Sequence, residues 1–449
     1  MRAINGSRFF RRSHWLGVAS VLVSSGVSAS NPAPFPSPFD AGATYQRNLH
    51  VDAGAAAGGD GSERAPLQTI AAALAIAEPG TRIQVAAGIY GAVGTVTNLQ
   101  GSAHAPIAVV GSGEVVIDPS GASSGMHLVD PRYVVIEGIT IRNAVPHGMN
   151  IDDGGSYASP ASHVVLRNMA FSQIGDGGNN DCLKMSGVDH FYVEGSRFVG
   201  CNQGEGIDMV GCHSGVITGN IFSDMPGTAV QTKGGSSDVL IHGNRFLRIG
   251  QRAISAGGST GQRWLRPNDA AREAERIRSI ANVIERTGSA PVVFTGCGDC
   301  VFANNTIVEP GDYVARIVEE HRSRLPGQNG YFINNVIVFE SRRLRDFVDI
   351  GEGTRPMTFT FGWNLWHALD DERFSGPTYG GGLPAEQRAV VTRDPQLDEW
   401  RRPRPDSLAI GAGRAVPGGL PGDFERRSYD SPPAIGAFAW PSATDAREP

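Results

Sequence analysis

Lys184 and Lys233 are the only lysines in a chain of 449 residues whose 39 basic side chains are otherwise all arginine. A chain that carries its surface charge on arginine does not need lysine for that purpose, so two lysines point to work a guanidinium does badly. Taking up and giving back a proton is such work, because surroundings move an ammonium pKa toward neutrality while arginine stays charged. Lys184 is the first candidate for a general base and Lys233 the second. Asp181, Glu205 and Asp208 offer the hard carboxylate oxygens that calcium takes, although no dedicated calcium-loop motif accompanies them. The plainer alternatives are an arginine-rich composition that left two lysines by chance, and a simple ion pair between Lys184 and Asp208.

The elements that must position these groups are repetitive. Gly206-Ile207-Asp208-Met209 leads to Ile217-Thr218-Gly219-Asn220-Ile221-Phe222, and Ala229-Val230-Gln231-Thr232 leads to Ile241-His242-Gly243-Asn244-Arg245-Phe246, with the second Asn 24 residues after the first. Asn168, Ser196, Asn282, Asn305 and Asn335 mark further copies of the same turn. Period-2 apolar strands repeating at this spacing are the coils of a parallel β-helix, an all-β solenoid. The recurring Asn reads as a stack of amides at one corner, with a structural role and no catalytic one.

A residue between apolar neighbours on a strand faces outward. Counting back from each strand-ending Gly gives an outward ladder of His127, Asn150, Lys184, Asp208, Gln231 and Ser255. Two residues on lies a second ladder of Val129, Asp152, Ser186, Val210, Lys233 and Gly257. Successive coils are about 4.8 Å apart, so Lys184 and Asp208 are expected side by side, with Lys233 on the same face.

Loops beyond the repeat length flank these ladder strands and would raise walls beside them. The largest, about residues 256–280, carries Arg263, Trp264 and Arg266, with Arg252 just before it. Residues 231–286 hold ten Lys/Arg against five Asp/Glu, a local excess suited to an anionic, sugar-like ligand whose carboxylates pair with guanidinium and whose ring stacks on indole. Asn150 and Gln231 complete the expected binding set. Two helical stretches are expected: Pro66 to Ala77, capping the open N-terminal end as repeat arrays require, and Asn268 to Ala281 within the large loop, where a solvated charged helix is the alternative to a binding role. The tail from about residue 370 to 449 should fold back as the C-terminal cap, making residues 30–449 one elongated domain.

Residues 1–29, with Arg2, Arg8, Arg11 and Arg12, the apolar run Leu16 to Val27 and then Val27-Ser28-Ala29, have the layout of a cleaved secretory signal. Export to the periplasm or medium is expected. Loss of those four arginines takes the net charge from −6 to −10, which argues against a nucleic-acid-coating surface. No later segment reaches the roughly 20 apolar residues of a membrane span, and a monomer is expected. Five cysteines allow at most two disulfides, and Cys297-Gly-Asp-Cys300 reads as a local disulfide or two buried thiols rather than a zinc site.

His50-Val51-Asp52-Ala53-Gly54, Gly59-Asp60-Gly61-Ser62, Pro66-Leu67-Gln68-Thr69-Ile70 and Pro79-Gly80-Thr81-Arg82-Ile83-Gln84-Val85 resemble the opening of right-handed parallel β-helix proteins of the pectin lyase-like superfamily. The resemblance implies a right-handed solenoid over nearly the whole mature chain and an action on anionic polysaccharide. In the polysaccharide lyases of this kind, a lysine or arginine removes the proton α to a uronate carboxylate while calcium or basic side chains offset that carboxylate. Lys184 would be that base, Arg252, Arg263 or Arg266 would bind carboxylates, and Asp181, Glu205 and Asp208 would hold calcium. A C5 epimerase would share the first step. Asp181-Cys182 resembles the paired-aspartate step of polygalacturonase-type hydrolases, but Asn180 replaces one acid and the downstream histidine motif is absent. A glycoside hydrolase and a non-catalytic carbohydrate-binding or structural β-helix remain the alternatives.

Overall fold

The computed structural model describes residues 34–156, 158–202, 204–320 and 325–441. The expected secretory signal lies outside the described residues. Among those described, ten short strands stack into one parallel sheet, from Gly94–Thr97 through Leu183–Ser186 and Ile207–Val210 to Val348–Ile350, and the other 23 strands form the second sheet of the coil. Every strand pair in both sheets is parallel. The chain is an all-β parallel β-helix, as its repeat predicts. One short helix, Ile70–Ala75, caps the N-terminal end: Thr69 accepts the Ala72 N–H at 3.1 Å, and Ile70, Ala73 and Leu74 are buried.

Two interior columns repeat one residue type over several coils. Phe171, Phe198, Phe222 and Phe246 stack face to face with centroids 5.0, 4.7 and 4.9 Å apart, which matches the coil spacing. At the neighbouring corner Asn220, Asn244, Asn282, Asn305, Asn335 and Asn364 form a buried amide stack. Each Nδ2 donates to the next Oδ1 at 3.0 or 3.1 Å, so a column of polar groups lies in the core with its partners inside the column. Glu386 terminates it by accepting from Asn364 Nδ2 at 2.9 Å. Asn168 is not in this column: it occupies the left-handed position one residue earlier, φ 53°, where the next coils have Gly195, Gly219 and Gly243 at φ 61°, 64° and 60°. Asn tolerates that backbone better than other side chains, which is why it mimics the motif out of register.

The expected helix from Asn268 to Ala281 does not form. Ala274–Glu275 and Arg278–Ile280 are strands that pair with Ser236–His242 on one side and with Cys297–Gly298 and Val301–Ala303 on the other. Ladder pairing overrides the local helix preference. Phe374 and Tyr379 pack on the last coils, but the chain then runs back along the flank, where Asn334 donates to Arg414 O, His242 bonds to Gly422 O and Arg426 pairs with Glu194.

Candidate functional site

The outward ladder has the register its spacing predicts: Lys184 pairs with Asn150 on one side and Asp208 on the other, and Asp208 pairs with Gln231. Apolar neighbours fix this facing, since Leu183, Met185, Ile207 and Met209 are all buried in the core. Lys233 starts two coils from Lys184 and two residues further along its strand, but its long stem turns back. Both ammonium groups converge on Asp208: Lys184 Nζ contacts Oδ2, and Lys233 Nζ lies 3.0 Å from Oδ1. Lys184 Nζ is also 3.5 Å from Asp181 Oδ2.

Asp181 and Asp208 are fully buried, and Glu205 is partly so. Oxygen atoms of the three carboxyl groups all lie within 4.8 Å of one another. Asp181 Oδ1 accepts the Glu205 N–H at 2.9 Å, and the Cys182–Cys201 disulfide starts at the residue after Asp181. Such crowding has a cost. Burial, the bond with Asp181 and the charge of Asp208 push the Glu205 pKa up to about 8. Burial acts to lower the Lys184 pKa, but the carboxylates of Asp208 and Asp181 outweigh it and the net shift is upward. The expected drift of this lysine toward neutrality is therefore reversed by its partners. Asp181 Oδ2 and Asp208 Oδ1 are buried and face the ammonium groups, Lys184 Nζ at 3.5 Å from the first and Lys233 Nζ at 3.0 Å from the second. Three carboxyl groups at this spacing could hold a metal ion.

The lysines form the floor of a cleft of about 610 Å³. Its walls are the loop 259–266 on one side and His147, Asn179 and the Asp152-to-Gly155 turn on another. Trp264 is 55 % exposed and carries the Arg263 guanidinium 4.7 Å above its ring. Arg266 also lines the cleft, but it is buried and makes a two-pronged bond to Asp189 with both distances 2.7 Å, plus one to Gly211 O at 2.8 Å. Its guanidinium pins the loop to the coils. Arg252 pairs with Glu320 and is not among the cleft-lining residues, and neither is Gln231, which lies under Gly258. Asn150 lines the cleft and donates to Asp152 Oδ2 at 3.1 Å, an atom that also bonds His127 Nε2 at 2.6 Å.

His147 was not legible as a site residue. It stands between strands, outside the repeat, yet it lines the cleft and accepts the Asp181 N–H on Nδ1 at 3.0 Å. That bond places the proton of the neutral ring on Nε2. Burial lowers its pKa, which favours the neutral form. Cys297 and Cys300 are two buried thiols, as one of the two sequence readings has it, and Cys212 is a third.

Comparison with known proteins agrees with this architecture. The model of a right handed beta helix region matches residues 124–338. No curated protein matches the sequence. Among solved structures, the chain is similar to pectate lyase Pel9A, with 19% identity over 89% of this chain and 98% of that one and a TM-score of 0.52. A rhamnogalacturonan lyase gives 13% identity over 71% and 87% with a TM-score of 0.49, and the Azotobacter vinelandii mannuronan C-5 epimerase AlgE6 A-module gives 12% over 72% and 93% with 0.46. The chain is a right-handed parallel β-helix protein. Its likeness to pectate lyase Pel9A is one of fold alone.

Proposed function

We propose that this chain is an exported enzyme that cleaves a uronate-containing polysaccharide by β-elimination, with Lys184 as the base. One observation carries the reading: both lysines line a single cleft and meet over one buried carboxylate, so its floor presents ammonium groups with Asp181, Glu205 and Asp208 behind them, while Asp152 and Asp153 stand on one wall. In the step, the proton α to the uronate carboxylate passes to neutral Lys184 Nζ. The C–H electron pair becomes the C4–C5 double bond, and the C4–O bond breaks with its electrons on the glycosidic oxygen, which takes a proton from water. The α-proton is too weakly acidic unless the adjoining carboxylate is offset. Lys233 on the cleft floor and Arg263 on its wall supply positive charge for that, Trp264 offers an indole face to a sugar ring, and Asn150 an amide. Arg266 serves the loop rather than the ligand, and Arg252 has no part.

Lys184 acts only when neutral, and its carboxylate partners hold the proton on. The rate should therefore climb with pH toward the raised Lys184 value. Asp181, Glu205 and Asp208 would hold calcium, which would supply positive charge beneath the cleft.

A second reading rests on Glu205, an acid raised to about 8 beside two further carboxyl groups, which is the pairing hydrolysis needs. It is disfavoured because Asp181 and Asp208 are fully buried and none of the three lines the cleft. Counting ultraviolet-absorbing unsaturated ends and reducing ends in the same digest of a uronate polymer separates the two. Elimination yields both in equal number; hydrolysis yields reducing ends alone.

A further inference from the structure

The outward ladder is not uniformly open. Toward the N-terminal end Thr95 is exposed and His127, Asn150 and Lys184 are partly so. From Asp208 onward it closes: Asp208 is 0 %, Gln231 7 %, Ser255 0 % and Val293 0 % exposed, before Arg316 and Asp349 emerge again. The cover begins at the cleft itself. A Cβ on Gly258 would lie 2.2 Å from Gln231 Nε2 and 3.1 Å from Lys233 Cδ, so the loop backbone rests directly on those side chains. Glu273, 3 % exposed, holds it there by accepting the N–H of Thr260 and of Gly234, each at 3.0 Å. Beyond the loop, Val293 is buried in a small apolar cluster with Ala290, Val318 and Tyr313.

A groove that is open on one side of Lys184 and closed by the 258–261 loop within two coils on the other takes the end of a polymer rather than its middle. The geometry points to an exo-acting enzyme: the chain terminus abuts the 258–261 loop, and the rest of the polymer leaves along the open coils toward Thr95. Three coil steps separate Thr95 from Lys184, about 14 Å at the usual spacing, which gives this side length for a short oligosaccharide. This inference rests on the cleft's being the cleavage site, whether by elimination or hydrolysis.

The test is the size distribution of a uronate polymer during early digestion by the wild-type protein, with cuts counted both as unsaturated and as reducing ends. Exo action leaves the polymer peak in place while one short product accumulates from the outset. A continuous ladder of intermediate sizes, with the polymer peak shrinking early, overturns exo action while leaving the enzyme reading intact. No cut of either kind on any uronate polymer overturns that reading and the inference with it. In Glu273→Gln, which weakens the hold on the loop, products should shift toward intermediate sizes; an unchanged single product in a variant whose loop has become protease-sensitive would contradict the role given to the loop.

Discussion

The solenoid carries two polar ladders at the same coil spacing, and they do opposite things. In the column from Asn220 to Asn364, each amide donor meets the acceptor above it and every member is neutral. In the ladder around Lys184, two ammonium groups and three carboxyl groups crowd one spot, and one face opens into a cleft. A satisfied polar stack holds coils in register. The crowded one holds groups whose proton affinities are shifted, and perturbed groups of that kind concentrate where chemistry is done.

Breaking each ladder should give different phenotypes. Lys184→Ala removes the proposed base and should lower the rate of double-bond formation per folded molecule by about 10²–10⁴-fold, roughly 3–5 kcal/mol of barrier, and should also lower the melting temperature because buried Asp208 loses an ion-pair partner. Rate and thermal unfolding measured on the same preparation decide whether the residue is catalytic or structural. Asn282→Ala leaves the donors of Asn244 facing an empty place and should cost about 2–3 kcal/mol of stability. Its activity per folded molecule, read from denaturant melts alongside rates at low temperature, should match wild type.

Smaller effects sharpen the contrast. Calcium at 100 times its Kd should stabilise the protein by about 2.7 kcal/mol, seen as a rise in Tm that Asp181→Asn abolishes and Asn335→Ala retains. Trp264→Ala should weaken substrate binding by about 1 kcal/mol through KM, with kcat nearly unchanged, because it removes a stacking face and leaves the base in place.

Much of this was legible in the sequence where the repeat itself is the signal. Asn220 to Asn244, the Phe stack and the facing of Lys184 and Asp208 all follow from one period, and a single register error carried Asn168 into the wrong column. Features outside the period were hidden. His147 sits on a turn without a repeat mark, and its role comes from the Asp181 N–H that the fold brings to it. The 268–281 segment reads as helix because helix formers dominate it locally, whereas its pairing partners lie one coil away in each direction. Arg252 and Arg266 were grouped by nearness in sequence, yet Glu320 and Asp189, both distant along the chain, set what they do.

The sign of the Lys184 shift ties site to mechanism. Its pKa is raised in the folded protein, so the ion pair contributes stability below the ordinary lysine value and loses it as pH rises through the raised one. The proton that stabilises the pair is the one that blocks the base. The most direct test is the pH–rate profile of double-bond formation by wild type and Asp208→Asn. Removing the Asp208 charge should move the ascending limb to lower pH, even as the variant loses stability. Coincident limbs in two active proteins would mean that Lys184 is not the base.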